Sequence, residues 1–399
     1  MAMGALSGVT VLDLTRIISG PYGTMLLAYL GADVVKIEEP PEGDPARRTT
    51  LYYQDGLSAV FIAGNVGKKS MTLNLKTERG RALFLRLVEK ADVVVENFRP
   101  GTMDRLGLGY ATLKAANPRI IACAISGYGA WGPLKDAPAF DLTVQAMAGG
   151  MSITGEPGRP PVKMGAPIGD LAAGMAGALG IAAALYRREK TGQGEQIDVA
   201  MFDVQVSLLQ YHAQYFLASG VRPEPVGSAH PNVVPYQAFS TRDGYLVIAL
   251  WGVNYLWPVL CEAIGRPDLA RDERFTTNEL RVKHREVLVP ILEEVLNART
   301  TVEWMAVFSE RKVPAAPVNA IDQALALPQV EAREMLLALP HPITGQPLTV
   351  LGNPVKLGRE AAGGLLPPPP LGQHTEEILK GWLGLGADEI ADLKRQKII

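Results

Sequence analysis

Apolar and polar positions alternate in blocks along the first two hundred residues. Short, continuous apolar runs are typical of buried strands, and longer segments with helical spacing separate them. Strands are predicted at residues 9–14, 33–38, 70–75, 92–96, 120–125 and 196–201. Helices are predicted at residues 24–31, 77–91 (with Thr77 as N-cap), 102–116, 170–188 and 202–220. Because strands and helices alternate and the strands are apolar throughout, we expect an α/β fold with a doubly wound parallel sheet covered on both faces.

The pattern changes after residue 220. The sequence Val-Arg-Pro-Glu-Pro at 221–225 predicts a linker, and the two runs that flank a Thr-Arg-Asp-Gly turn predict a hairpin. Three helices follow, so this section favours a smaller α+β domain. The predicted hairpin strands and helices lie at residues 236–239, 244–249, 255–264, 280–296 and 301–311. A proline-rich arm at 365–372 precedes two C-terminal helices that begin near Thr375 and Asp388.

Composition narrows the functional class. The 399 residues are 47% hydrophobic and carry a net charge of −2, which does not indicate a nucleic-acid-binding protein. The first residues lack a secretory signal pattern, and no uninterrupted apolar run reaches the roughly 18 residues of a membrane span. Two cysteines are too few for a disulfide framework. We expect a cytoplasmic protein with no membrane span.

Asp170 is the best placed candidate for covalent chemistry. It lies where a glycine-rich stretch, Gly-Ala-Pro-Ile-Gly, meets the predicted long helix. Motifs such as G-x-S-x-G, H-E-x-x-H, C-x-x-C and a complete Walker A are absent from the sequence. A carboxylate at this point can serve as the N-cap of the helix, or act as a nucleophile toward an activated carbonyl. The residues alone leave both roles open.

A second polar segment follows the predicted strand at 92–96. It reads Glu-Asn-Phe-Arg-Pro-Gly-Thr-Met-Asp-Arg over residues 96–105. Open α/β sheets bind ligands at the carboxyl ends of their strands. The segment is either a solvated strand-to-helix turn or a basic rim for a phosphorylated ligand, to which Lys68, Lys69 and Lys76 could add positive charge.

Taken together, the ordered segments resemble the class III CoA-transferases, the family that includes formyl-CoA:oxalate and carnitine CoA-transferases and the methylacyl-CoA racemases. The resemblance runs nearly end to end. It is carried by residues 11–16, 20–21, 30–38, 65–75, 96–101, 126–133, 169–170, 188–194 and 371–376.

The resemblance implies that Asp170 is the nucleophile and forms a covalent aspartyl-CoA thioester. Coenzyme A would then be a substrate, with no tightly bound cofactor and no metal. Eight positions match CoA-contacting positions of the family: Arg16, Ile17, Leu73, Lys76, Asn97, Phe98, Arg105 and Met201. Asp141 could be a secondary polar group near the site or a helix-start residue, and His230 could orient a substrate carboxylate or make a structural hydrogen bond.

The chain departs from the family pattern at three positions. Glu39 stands where the oxalate enzyme has an arginine, and the lysine that this relative carries before Phe140 is missing, although Lys135 lies nearby. Racemases of the family have Gly-His-Asp at 139–141, where the histidine moves the α-proton. Phe140 cannot carry a proton, so transferase chemistry is favoured over racemase or isomerase chemistry.

Segments 227–239 and 314–319 are similar to succinyl-CoA:dicarboxylate CoA-transferases. We therefore favour succinyl-CoA as donor and a short dicarboxylate or hydroxy-dicarboxylate as acceptor, with oxalate as the weaker alternative. The resemblance also implies a large domain built from residues 1–220 and 335–399, a small domain inserted at 226–325, and an interlocked homodimer.

Overall fold

The computed structural model of the chain describes residues 4–252, 254–358 and 364–399. Its contacts divide the chain into two compact units. The larger comprises Met1–Gly150, Lys163–Gly220 and Gln329–Ile399, and the smaller comprises Met151–Val162 and Val221–Pro328. Residues 151–162 thus belong to the smaller unit, whereas the sequence placed them in the large domain.

The helices and strands are given in chain order. The first half contains β1 (Thr10–Asp13), α1 (Ser19–Tyr29), β2 (Asp33–Glu38), β3 (Tyr53–Gln54), β4 (Leu57–Ser58), α2 (Ala59–Asn65), β5 (Lys68–Thr72), α3 (Glu78–Val88), β6 (Val93–Glu96), α4 (Thr102–Arg105), α5 (Tyr110–Ala116), β7 (Ile121–Ser126), α6 (Asp141–Met147), α7 (Ile168–Thr191), β8 (Gln196–Ala200), α8 (Met201–Leu208) and α9 (Gln210–Ser219). The second half contains β9 (Tyr236–Ser240), β10 (Tyr245–Ala249), α10 (Leu256–Ala263), α11 (Pro267–Arg271), α12 (Asn278–Lys283), α13 (Arg285–Leu296), α14 (Thr301–Glu310), β11 (Ala315–Pro317), α15 (Ile321–Leu325), α16 (Pro328–Ala332), β12 (Leu336–Pro340), β13 (Pro347–Leu351), α17 (Thr375–Leu383) and α18 (Ala387–Arg395).

A six-stranded parallel sheet organises the larger unit, in the order β5-β2-β1-β6-β7-β8. Successive side chains point to opposite faces, so Leu12 and Val94 enter one core while Val11 and Val93 enter the other. Residues of α3, α5, α17 and α18 complete the first core. Residues of α1, α6 and α7 complete the second. The predicted parallel sheet with helices on both faces is confirmed.

Several predicted helices have different bounds or are divided. α1 begins at Ser19, earlier than predicted, while Thr77 caps α3 as expected by accepting the Gly80 N–H at 3.0 Å. The helix predicted at 202–220 is interrupted at Leu209, between α8 and α9, and the next residue, Gln210, has a φ of +42°. The predicted helix at 102–116 is α4 and α5. The hairpin β12–β13 was not predicted.

Helix α7 is the one described helix that is long and apolar enough, by length and composition, to cross a membrane. The sequence has no uninterrupted apolar run of about 18 residues, so no span is predicted from it. In this fold, Ala173, Ile181 and Leu185 of α7 pack into the second core of the larger unit.

The smaller unit has a core of its own. The predicted hairpin is confirmed as β9–β10, and β11 pairs with β10 as a third antiparallel strand. Buried Trp257, Leu292 and Trp304 fill the space between this sheet and its helices. The helix predicted at 280–296 is broken at His284 into α12 and α13.

Strand order determines where a ligand site is expected in the larger unit. From β1 the chain builds outward to β2 and β5, and then returns to add β6, β7 and β8 on the other side. The order reverses between β1 and β6, and open α/β sheets bind ligands in the crevice beyond such a switch point.

Candidate active site

The loops that follow β1 and β6 are joined at this switch point. The Arg16 N–H donates to Asn97 Oδ1 at 2.8 Å, and Asn97 Nδ2 donates back to the Arg16 carbonyl at 2.8 Å. Asn97 Nδ2 also lies 3.1 Å from Ser19 Oγ, at the start of α1. The structure therefore brings Arg16 and Asn97, both matched to family CoA positions, into one hydrogen-bonded group.

Ile17 in the same loop has a left-handed backbone, with φ of +69°. This conformation is unfavourable for a β-branched residue and persists only where the surroundings hold it. The Ile17 N–H donates to Asp44 Oδ1 at 3.0 Å, and Asp44 pairs with buried Lys36 at 2.9 Å. Lys36 Nζ also donates to the Thr15 carbonyl at 2.7 Å. A buried ion pair thus fixes the loop at Thr15 and at Ile17 itself.

All three lysines expected to add positive charge to the rim have acidic partners. Lys68 is fully buried and pairs with Asp13 at 2.9 Å, and Lys69 pairs with Asp33 at 3.3 Å. Burial opposes ionisation of Asp13, but the nearby Lys68 and Lys36 outweigh it and hold the pKa of that carboxyl below its ordinary value. The third lysine, Lys76, is exposed and pairs with Glu39.

Asp170 is the third residue of α7 and not its N-cap. Pro167 holds the N-cap position, where no side chain makes a capping hydrogen bond. Burial, followed by the like charge of Asp141, raises the pKa of Asp170 from 3.8 to about 6, against the opposing effect of a hydrogen bond from Ser19. The carboxyl group is therefore more basic than an ordinary aspartate while remaining largely ionised at neutral pH.

Asp141 supplies the missing cap from another helix. Its Oδ1 accepts the Gly169 N–H at 2.7 Å and the Asp170 N–H at 3.4 Å, and its Oδ2 accepts from Gln145 Nε2 at 2.6 Å. A Cβ on Gly169 would lie 2.8 Å from Asp141 Oδ1 and 2.4 Å from Gln205 Nε2, so only glycine fits before Asp170. Both oxygens of Asp141 accept hydrogen bonds from other residues of the protein, and through these bonds Asp141 holds Asp170 in position. Asp141 therefore acts at the start of two helices. Its side chain caps the N-terminus of α7, and the residue itself lies in the first turn of α6.

Phe98 and Arg105 line a cavity of about 650 Å³ beside the switch point. Lys135 lines the same cavity, as do Glu96 and Asp198. Burial raises the pKa of Glu96 to about 7, although its Oε2 accepts the Phe98 N–H at 2.7 Å. Lys135 thus lies on the wall of the same cavity as two predicted CoA residues, Phe98 and Arg105.

Two other matched positions have buried side chains. Leu73 lies in the core below β5, and Met201, the first residue of α8, lies in the second core. The main-chain N–H of Leu73 donates to the Glu38 carbonyl at 2.8 Å. The side chains of these two residues therefore pack in the cores of the larger unit and offer little surface to a ligand.

His230 lies in the smaller unit and makes structural contacts there. Its Nδ1 accepts the Asn232 N–H at 3.1 Å, and its ring packs edge-on against Trp251 at 4.6 Å between centroids. Its carbonyl accepts from Arg285 at 2.6 Å. These contacts support the structural alternative stated for His230 from the sequence.

Sequence reasoning missed three residues that hold this site: Ser19, Asp44 and Gln145. Ser19 could have been noticed, since it follows the carboxyl end of β1, where site residues of such sheets occur. Asp44 and Gln145 act through side-chain contacts that no spacing in the sequence reveals. Among the described residues, no group of three or more histidine, cysteine or acidic side chains could hold a metal ion.

Comparison with known proteins decides the family. The family model described as CoA-transferase family III matches residues 6–375. The chain belongs to CoA-transferase family III. An acetyl-CoA:oxalate CoA-transferase of Acetobacter aceti is 42% identical over 89% of this chain and 89% of its own length. A succinyl-CoA:mesaconate CoA-transferase of Haloarcula hispanica is 39% identical over 97% of this chain and 99% of its own length.

The fold of this family III chain also matches a solved structure. A CaiB/BaiF family protein from Brucella suis superimposes with a TM-score of 0.85 and 38% sequence identity, covering 96% of this chain and all of the other. The resemblance inferred from the ordered sequence segments is confirmed.

Proposed function

We propose that this family III chain transfers CoA from an acyl-CoA donor to a carboxylic acid through a covalent thioester on Asp170. The observation that supports the proposal is the placement of Asp170. Its carboxyl group is partly buried at the start of α7, with a pKa raised to about 6 and its backbone N–H held by Asp141. Burial strips water from the carboxylate and makes it a better nucleophile.

The reaction proceeds in four balanced substitutions. The Asp170 carboxylate attacks the donor thioester, giving a mixed anhydride and CoA thiolate. The thiolate attacks the aspartyl carbonyl, which releases the donor acid and leaves an aspartyl-CoA thioester. The acceptor carboxylate then attacks that thioester, and the released thiolate attacks the acceptor carbonyl of the second anhydride. Asp170 is regenerated, and the bond energy of the thioester is conserved only if water is excluded.

The CoA moiety would lie along the carboxyl edge of the sheet. Arg16, Asn97 and Phe98 form one contiguous group there, because the Arg16 guanidinium lies 5.0 Å over the Phe98 ring. Arg105 and Lys135 supply positive charge from the neighbouring cavity. Coenzyme A is a substrate in this proposal, and no further cofactor is invoked.

A transferase is favoured over a racemase because Phe140 cannot exchange protons. The residue precedes α6 as its N-cap, and its side chain is 77% exposed. Its neighbour Asp141 is occupied by the N-terminus of α7. Neither residue is therefore a free second acid–base group opposite Asp170.

Succinyl-CoA is the favoured donor and a short dicarboxylate the favoured acceptor. The relatives support this class, since one is named for mesaconate and another for oxalate. The test is a screen of succinyl-CoA and acetyl-CoA against mono-, di- and hydroxy-dicarboxylic acids, including oxalate, read by the mass of each new CoA ester. Exclusive use of monocarboxylic acids would contradict the assignment.

The covalent step has a direct test. Trypsin cleavage after Lys163 and Arg187 yields a peptide, residues 164–187, in which Asp170 is the only acidic side chain. After incubation with acyl-CoA, mass spectrometry should place a hydroxylamine-sensitive CoA adduct on this peptide. Turnover without an adduct there, or an adduct on another peptide, would overturn the proposed mechanism.

Adduct formation should depend on pH in a specific way. Since the pKa of Asp170 is raised to about 6, the nucleophilic carboxylate predominates only above that pH, and the single-turnover rate should rise with a midpoint near it. In Asp141→Asn the like charge is absent, so the midpoint should move to lower pH. Asp388→Asn, which changes an exposed aspartate in α18, is the control. A wild-type midpoint near 4 would contradict the expected environment of Asp170.

We also propose that the chain forms a homodimer. Large apolar side chains lie exposed on helices of the larger unit: Leu179 (73%), Tyr186 (69%) and Leu217 (73%). Exposed apolar patches of this kind are usually covered by a protein partner. Sedimentation at nanomolar concentration distinguishes a stable dimer from a monomer, and the interlocked arrangement expected from the family requires a stable dimer.

A further inference from the structure

Glu39 lies between two cations at the mouth of the proposed CoA site. The residue directly follows β2, which pairs with β1 in the sheet. Its Oε1 accepts a hydrogen bond from the Lys76 ammonium, and its Oε2 lies 3.8 Å from the Arg16 guanidinium. The Glu39 side chain is 33% exposed and that of Lys76 is 72% exposed, so solvent and an arriving ligand can reach the group.

Both cations, Arg16 and Lys76, stand at positions that the family resemblance matches to CoA contacts, and the proposed function places Arg16 against CoA. Arg16 belongs to the loop fixed by Asn97 and lies over the ring of Phe98. A phosphate that approaches Lys76 or Arg16 therefore meets the carboxylate of Glu39 already in place. It must either displace Glu39 from the cations or bind beside a like charge.

We propose that Glu39 is a resident counter-ion that sets how strongly the protein binds the phosphates of CoA. The inference rests on the proposed function, because that function makes CoA the substrate and places it against Arg16, beside which Lys76 and Glu39 lie. Phosphate binding here exchanges one ion pair for another, so it releases less free energy than phosphate binding to cations without a partner would. The affinity of this chain for CoA therefore depends less on phosphate, and more on the pantetheine end, than it would without Glu39.

Glu39→Gln tests this role, because glutamine keeps the size of the side chain and its hydrogen-bonding oxygen while removing the charge. The dissociation constant of CoA should fall about three- to fivefold, the size expected for one partly exposed charge. The gain should shrink at high salt, where charges are screened. Pantetheine, which carries no phosphate and is measured as a competitor, should bind within twofold of its wild-type affinity.

Glu42→Gln is the matched control. Glu42 lies three residues further along the chain and pairs with exposed Arg48 at 2.6 Å, away from Lys76 and Arg16. The proposal is overturned if Glu39→Gln leaves CoA binding unchanged, if pantetheine gains as much as CoA, or if Glu42→Gln has the same effect.

Binding and turnover separate the two proposals. CoA binding that tightens in Glu39→Gln, in a protein that transfers no CoA, would support the counter-ion and overturn the transferase mechanism. An adduct on Asp170, together with a CoA affinity that does not change in Glu39→Gln, would support the transferase mechanism and overturn the counter-ion proposal. A wild-type protein that binds no CoA would overturn both.

Discussion

Replacing Asp170 by asparagine should reduce CoA transfer by at least about a thousandfold while leaving the protein folded. Loss of a covalent nucleophile removes the whole reaction path, and losses of this size or larger are typical of such residues. Asparagine keeps the shape of the side chain but cannot form the anhydride or the thioester. The measurement is the rate of new acyl-CoA formation under saturating substrate, together with the mass of the peptide at residues 164–187.

The same variant should be more stable than the wild type at neutral pH. Between about pH 4 and 6, the folded protein keeps a proton on Asp170 that the unfolded chain releases, because the folded pKa is raised from 3.8 to about 6. The free energy of unfolding therefore falls as pH rises through this range. Asparagine does not titrate, so Asp170→Asn should gain about 1–3 kcal/mol above pH 6 and nothing below about pH 4.

Asp388→Asn is the control for both measurements. Asp388 is also an aspartate in the first turn of a helix of the larger unit, α18, but it is exposed. Its replacement should leave transfer unchanged and cost about 0.5 kcal/mol, since it loses only a favourable interaction with the helix N-terminus. If Asp170→Asn retained activity within tenfold of the wild type, Asp170 would not be the nucleophile.

The parallel sheet could be predicted from the sequence because its strands are buried on both faces. Such strands are continuous apolar runs, and the runs at β1, β2, β6 and β7 stand out without any knowledge of the fold. Hairpin β12–β13 was missed for the opposite reason. Its outward residues are exposed, its strands carry prolines at their ends, and the burial of Leu348 depends on packing against α1 and α2.

The site was predicted less completely than the fold, because its key contacts join distant parts of the chain. Asp141 reaches the N–H of Gly169 across 28 residues, and Lys68 reaches Asp13 across 55. From the sequence, Lys68 resembles a surface lysine, and only its position beneath the β1 loop shows it to be buried. Asp170 itself was found, but its suggested N-cap role was wrong because the helix begins two residues earlier, at Ile168.

Three glycines, Gly174, Gly177 and Gly180, lie three residues apart along α7. The structure shows that the three have different neighbours. A Cβ at Gly174 would lie 2.4 Å from the Ser19 carbonyl oxygen, which is backbone of α1. At Gly177 it would lie 2.9 Å from Ile125 Cδ1, and at Gly180 3.2 Å from a methyl group of Ile197. Backbone cannot move aside without displacing α1, whereas the ends of isoleucine side chains can.

Alanine substitution should therefore have graded effects along α7. Gly174→Ala should lower the free energy of unfolding by about 1–3 kcal/mol, because overpacking outweighs the gain of about 1 kcal/mol in helix propensity. Gly177→Ala should be close to neutral, and Gly180→Ala neutral or slightly stabilising. Chemical denaturation of the three variants at one pH measures the series.

Gly174→Ala should also impair catalysis, since the residue that it displaces is the one that contacts the nucleophile. Ser19 donates to Asp170, and its carbonyl lies against Gly174. Moving α1 outward weakens that hydrogen bond, so the midpoint of the pH dependence of adduct formation should rise above 6. Gly381→Ala in α17, where a Cβ meets no atom within 4 Å, should instead stabilise the protein by up to about 1 kcal/mol without changing the midpoint. If Gly174→Ala and Gly381→Ala changed the stability and the pH midpoint equally, the contact between Ser19 and Gly174 would not be what holds α1 against α7.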